Sequence, residues 1–323
     1  MAENQAHTTL DPVLASIGQR WRDAQIPDIY EGCLDPCGGP VSRERAKNVR
    51  GFFYPKPNLP KGKIEKRIVN GRSYGVEIDI PVEIIWPAQD ASDNLPVNTL
   101  VYFHGGGFVV GDLDSHQAHA IRLANEAACV VVNVDYRLAP EHRFPAAYDD
   151  CLAVTQWALD HINDLGRHVD RFAIGGDSAG GNLAAAVAIS CRDLGIKLAA
   201  QLLLYPATDL SRMKGMPEKA YLGEENLDQL GLDPRASPKH ASTHVGLAPT
   251  ILGVGLHDFL YDDNMTYAAI LNAAHVKLTL REFPTLNHGF FSYTGISHDS
   301  LAAAQLMCSD LKSHFEMSAK ILR

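Results

Sequence analysis

Residues Arg171 to Asn182 read Arg-Phe-Ala-Ile-Gly-Gly-Asp-Ser-Ala-Gly-Gly-Asn and constrain the fold more than any other stretch. A short apolar run, Phe172 to Ile174, predicts a strand, and an alanine-rich run, Leu183 to Ile189, predicts a helix. Between them Ser178 is bracketed by Gly176 and Gly180 in the spacing Gly-x-Ser-x-Gly. A serine on so sharp a strand-to-helix turn sits in crowded, strained backbone, so the residues two before and two after it must lack bulk. The helix that follows turns its N-terminal N–H groups and positive dipole end toward the serine, where a developing oxyanion is stabilised. A phosphate-loop reading of the same glycines fails, because no Gly-Lys-Ser/Thr follows.

The rest of the chain alternates short apolar runs with helix-like segments. Strands are expected at Ile64–Val69, Gly75–Trp86, Thr99–Phe103, Val130–Val134, Arg171–Ile174, Ala200–Tyr205, Thr250–Gly255 and Lys277–Phe283. Helices are expected at Gln117–Ala128, Pro145–His161, Ala179–Leu194, Asp262–Ala274 and Ser300–Lys320. This order implies an α/β fold with a mostly parallel, doubly wound sheet, whose site lies at the carboxyl ends of the strands. Residues 1–55 read as an N-terminal cap segment and 56–323 as the catalytic domain, with residues near 208–247 contributing to a small helical cap. Asp11 and Pro12 open a helix running to Ala24, with Leu14, Ile17 and Trp21 on one face; that apolar face needs something to cover. Ser42 to Arg50 reads as a second, charged helix.

Three further strand ends carry chemistry. Thr99–Phe103 runs into His104-Gly105-Gly106-Gly107-Phe108, where successive glycines expose backbone N–H groups, as an oxyanion hole requires. The expected donors are Gly105, Gly106 and Ala179. Thr250–Gly255 is followed by Asp258, and Lys277–Phe283 by His288. Asp262 and Asp263 compete with Asp258 for the acid, but they fall in a helical first turn, where acidic residues complement the dipole.

These motifs, together with Gly111-Asp112, Asp135-Tyr136-Arg137-Leu138-Ala139-Pro140-Glu141, Phe144-Pro145-Ala146, Tyr205-Pro206 and His288-Gly289-Phe290, resemble the bacterial hormone-sensitive-lipase-type esterases of the α/β-hydrolase fold. The resemblance runs from about Ile64 to the C-terminus. The order Ser178, Asp258, His288 is the serine–acid–histidine order of that fold. Phe259 stands where the family often has proline, and segment 211–230 is unlike its usual insertion. The resemblance implies hydrolysis of short-chain acyl or small aryl esters through an acyl-enzyme on Ser178, with no cofactor. An amidase or lactonase would use the same groups, and a non-catalytic small-molecule receptor is a further reading on this scaffold. Phe108, Tyr205, Trp21 and Tyr221 are the candidates for the substrate pocket.

Other features read as structural. His116-x2-His119 offers two imidazoles on a helix face without a third ligand at fitting spacing, so no metal is expected. Asp135, Arg137 and Glu141 are expected to form an ion-pair network that holds the loop near Ser178, and Asp177 to support neighbouring loop groups by hydrogen bonds. A net charge of −9 argues against nucleic acid and against anionic membrane as partners. No apolar run reaches bilayer length, Met1 to Leu10 carries no signal pattern, and the six scattered cysteines suit reduced thiols, so a cytoplasmic location is expected. The expected partner is a small-molecule ester, with room for a homodimer.

Overall fold

The computed structural model describes residues 9–23, 56–88, 98–166 and 168–320. Eight strands form one sheet: β1 (Ile64–Asn70), β2 (Asp79–Ile85), β3 (Thr99–Phe103), β4 (Val130–Val134), β5 (Phe172–Asp177), β6 (Ala200–Leu204), β7 (Thr250–His257) and β8 (Leu278–Asn287). Their order is β1-β2-β4-β3-β5-β6-β7-β8. β1, β2 and β4 pair antiparallel, and every neighbour from β4 to β8 is parallel.

The central strands β3 to β6 are buried on both faces because helices cover both, whereas the edge strand β8 is only partly buried. Successive side chains alternate, so Val101 and Phe103 of β3 enter one core layer, whereas Leu100 and Tyr102 enter the other. The first layer packs against helices α3 (Ala146–Asp160), α4 (Ala179–Asp193) and α7 (Tyr261–Ala273), through residues such as Trp157, Leu183 and Tyr267. The second packs against α1 (Pro12–Asp23), α2 (Leu113–Glu126) and α8 (His298–Lys320), through Leu14, Leu123 and Phe315. Burying each large apolar side chain of these layers contributes roughly 1.5–3 kcal/mol.

Several boundaries move from their sequence-based positions for identifiable reasons. α2 starts at Leu113, ahead of Gln117, because Asp112 and Ser115 form a reciprocal capping box: the Asp112 carboxylate accepts the Ser115 N–H at 2.6 Å, and Ser115 Oγ accepts the Asp112 N–H at 2.9 Å. β2 starts at Asp79 because Gly71–Tyr74 form a 3-10 turn, capped by the Asn70 side chain and ended by Gly75 at φ 84°. The segment near 208–247 carries two short helices, α5 (Met216–Leu222) and α6 (Leu227–Leu230). Asn182 of α4 ties this segment down, its Nδ2 donating to the carbonyls of Ala207 at 2.6 Å and Ala236 at 2.7 Å.

α1 packs into the second core layer, and Asp11 just before it is tied to β8 and to the loop beyond it. Asp11 accepts the Val13 N–H and donates its own to the Thr285 carbonyl at 2.8 Å, while Ser297 donates to its carboxylate. Leu14 and Ile17 are buried in the second core layer. The expected helix at 42–50 and the side chain of Trp21 lie outside the described residues. Among the described residues no helix is long and apolar enough to cross a membrane.

Candidate active site

Because β3, β5, β7 and β8 run parallel, His104, Ser178, Asp258 and His288 emerge on one edge of the sheet. Ser178 follows β5 at φ 54°, ψ −115°, a strained conformation that the surrounding backbone imposes. A Cβ on Gly180 would overlap the carbonyl oxygen of Phe103, and one on Gly176 would overlap that of Gly180. The turn closes only because both positions are glycine.

His288 lies between serine and acid. Its Nε2 is 2.9 Å from Ser178 Oγ, and its Nδ1 is 3.0 and 2.9 Å from the two Asp258 oxygens. With the Nδ1 proton donated to Asp258, Nε2 is left to accept the Ser178 hydroxyl proton. Asp258 is buried, and its carboxylate also accepts the Leu260 N–H at 2.7 Å, which orients it. Asp262 is exposed at this point, and Asp263 is occupied elsewhere: it accepts the Thr208 N–H at 2.7 Å and hydroxyl at 2.9 Å.

The His-Gly-Gly-Gly loop is held from below. Asp177 accepts the Gly105 N–H at 2.9 Å and the Tyr102 hydroxyl at 2.7 Å. Tyr136 stacks on the His104 ring with centroids 4.2 Å apart and donates its hydroxyl to the His104 carbonyl at 2.6 Å. Burial, followed by the neighbouring His116, lowers His104 to about 3, so that imidazole is neutral. Burial alone would raise the Asp177 carboxyl, but the neighbouring His116, then His119 and the Tyr102 hydroxyl, hold it well below the usual carboxylate range.

A family model described as alpha/beta hydrolase fold matches residues 100–292, which contain all of these groups. The chain belongs to the α/β-hydrolase family. Carboxylesterase NlhH of Mycobacterium tuberculosis is 39% identical over 276 residues, spanning 79% of this chain and 83% of that protein. Ethyl acetate hydrolase of Pseudomonas putida is 34% identical over 252 residues, spanning 73% of this chain and 79% of that one. The solved hyperthermophilic esterase of the archaeon Pyrobaculum calidifontis superposes with a TM-score of 0.79 at 31% identity, covering 94% of this chain and 98% of that one. The hormone-sensitive-lipase-type resemblance of the motifs therefore holds.

In this α/β hydrolase, Ser178 and His288 open into a cavity of about 540 Å³. Gly106, Gly107 and Ala179 line it beside the serine. Gly105 differs from its sequence-based assignment: its N–H already donates to Asp177, so it anchors the loop, and Gly107 takes its place on the cavity wall. Phe108 and Tyr205 line the cavity, but Tyr221 does not. Its ring is fully buried behind Phe108, stacked at 4.0 Å between centroids.

Contacts between elements add a partner to each of two side-chain groups singled out in the sequence. The Arg137 guanidinium grips the buried Asp150 of α3, with Nε to Oδ2 at 2.9 Å and Nη2 to Oδ1 at 2.7 Å. A third potential metal-binding side chain also joins His116 and His119: Asp177, from β5, with one donor atom of each within 4.8 Å of the others. Residue spacing gave no sign of Asp150 or Asp177 as partners, because both contacts cross between elements. Sequence reading also missed Met213, Met216, Phe259 and Tyr293 on the cavity wall. The expectation that residues near 208–247 help form the cap was the available signal for the two methionines.

Proposed function

We propose that this protein hydrolyses small carboxylic esters through an acyl-enzyme on Ser178. It is an ester hydrolase of the α/β-hydrolase type, as its carboxylesterase and ethyl acetate hydrolase relatives support. The observation that carries the residue assignment is the Ser178–His288–Asp258 line, with Ser178 Oγ 2.9 Å from His288 Nε2, on the wall of a cavity.

Ser178 Oγ attacks the ester carbonyl while His288 Nε2 takes its proton. Asp258 holds the imidazole tautomer and stabilises the imidazolium. The N–H groups of Gly106, Gly107 and Ala179 receive the developing oxyanion, and pre-aimed donors of this kind need no reorganisation as charge forms. His288 returns the proton to the departing alkoxide, leaving the acyl group on Ser178. Water then repeats the attack through the same imidazole and releases the acid.

The acyl groups are short. Each added methylene gains only about 0.8 kcal/mol by burial, while overfilling a packed wall costs roughly 1–3 kcal/mol. Residues 1–55 and the segment near 208–247 cap the site in this reading. The location is cytoplasmic, which the buried free thiols of Cys129, Cys151, Cys191 and Cys308 support.

The test is a panel of p-nitrophenyl esters from acetate to palmitate, run beside an anilide and a lactone, on the wild type and Ser178→Ala. The proposal expects kcat/KM to peak at short acyl chains and turnover to vanish in the variant. Faster turnover of the anilide or lactone would overturn the ester assignment, and retained turnover in Ser178→Ala would overturn the nucleophile.

A further inference from the structure

Phe259 departs from what a folded chain normally does with an aromatic ring: it is 74% exposed. Its backbone is not loose. The turn around it is fixed by Asp258 N–H to the Gly255 carbonyl at 3.2 Å, Tyr261 N–H to the Asp258 carbonyl at 3.0 Å, and Leu260 N–H to the Asp258 carboxylate at 2.7 Å. The same turn that delivers Asp258 to His288 therefore presents Phe259 to solvent.

Its position relative to the reacting groups is specific. The Phe259 ring centroid lies 4.5 Å from that of His288, tilted by 45°, with Tyr205 on the imidazole at 5.0 Å. Phe259 lines the cavity that contains Ser178 and also an adjoining groove of about 420 Å³, which shares Met213 and Leu260 with it. The two spaces meet at this ring.

The chemistry of the proposed reaction then says what lies against it. His288 Nε2 must reach the leaving oxygen within hydrogen-bond distance to protonate it. The alcohol half of the ester is therefore held beside the imidazole and next to Phe259, whereas the carbonyl faces Ser178 and the glycine loop. An aryl group has a face to lay against an exposed ring, and aromatic pairs at centroid separations of about 4.5–7 Å gain more than their buried area alone. An ethyl group covers little of it. From this arrangement we propose that Phe259 is the platform of a leaving-alcohol subsite and makes the enzyme selective for esters of aryl alcohols. This inference rests on the ester-hydrolase reading and deepens it by assigning the alcohol side.

The experiment varies one half of the ester at a time. With the acyl group held as acetate, kcat/KM is measured on ethyl, phenyl and 2-naphthyl acetates for the wild type, Phe259→Ala and Phe259→Trp. Each variant is compared with wild type on the same ester, which cancels the intrinsic reactivity of the leaving group. Phe259→Ala should lose roughly tenfold more on the aryl acetates than on ethyl acetate, Phe259→Trp should restore the aryl esters, and the acyl profile on p-nitrophenyl esters should keep its shape. Equal losses on ethyl and aryl acetates would overturn the platform, showing that Phe259 only steadies His288; a changed acyl profile would overturn the side assigned. Binding of phenol and 2-naphthol, titrated directly and without turnover, should weaken in Phe259→Ala. That titration reports on the subsite even if the wild type hydrolyses no ester, an outcome that would sink the ester-hydrolase reading instead.

Discussion

The carboxylate of Asp177 accepts the backbone N–H of Gly105 at 2.9 Å, tying the loop after β3 to the residue immediately before Ser178. The oxyanion donors and the nucleophile are thus set by one side chain. Asp177→Ala removes the acceptor and frees the loop; because a single misplaced oxyanion donor costs on the order of 10²–10³ in kcat, kcat should fall by about that much while KM changes little. Asp177→Asn keeps an oxygen for Gly105 and should retain most of the activity. Steady-state kinetics on p-nitrophenyl acetate, with circular dichroism to verify folding, reads the difference. Equal losses in the two variants would show that charge, rather than loop anchoring, is what matters.

The identity of the acid is testable at two positions. Asp258 meets His288 Nδ1 with both oxygens, whereas Asp262 is exposed on α7. Asp258→Asn should cost on the order of 10⁴ in kcat, through loss of the productive tautomer. Asp262→Asn should stay close to wild type. Rate measurements on both variants decide the matter, and the reverse ranking would move the acid to α7.

Gly180 is a packing requirement as well as part of a motif. A Cβ there overlaps the carbonyl oxygen of Phe103, so either β3 or the start of α4 must shift. Gly180→Ala should lower stability by roughly 1–3 kcal/mol or more and displace Ser178 at the same time. Thermal unfolding and organophosphate labelling of the serine should therefore both suffer. A variant with unchanged Tm and full labelling would contradict the close approach described.

Asp135 predicts a pH effect on stability. Burial, then the carboxylates of Asp112, Asp114 and Glu83, raise it to about 6. Well below pH 4 it is protonated in both the folded and unfolded chain and costs nothing. Between about pH 4 and 6 the unfolded chain ionises while the folded chain holds the proton, so stability is lost across that window and the loss is complete above 6. Asp135→Asn should therefore stabilise the protein at pH 7–8, by roughly 1–2 kcal/mol after allowing for partial solvent screening, and have a much smaller effect near pH 4. Denaturation curves at the two pH values measure this, and equal effects at both would refute it.

The fold was legible because its signals are local. Val130–Val134 and Thr99–Phe103 are runs of buried apolar residues with sharp polar or glycine borders, and the structure gives both strands those same bounds. The placement of Ser178, Asp258 and His288 at strand ends was equally legible, since a parallel sheet brings successive carboxyl ends to one edge whatever the loops do. Boundaries shifted where a side chain capped the backbone, as Asp112 and Ser115 do at α2.

Tertiary structure alone decided which backbone and side-chain groups remain available. Three glycines follow His104 with equal chemical claim to an oxyanion, and only the arrival of Asp177 from β5 engages the first of them. Arg137 has two acidic neighbours in sequence, yet its guanidinium grips Asp150, because α3 packs that carboxylate against it. Tyr221 and Phe259 are both aromatic residues near the site, yet one is buried behind Phe108 and the other is exposed beside His288. Residue type and spacing specify which groups a chain can bring to an edge of its sheet. Which of them touch depends on packing between elements distant in sequence, and that is where the pairings at Gly105, Arg137 and Phe259 were determined.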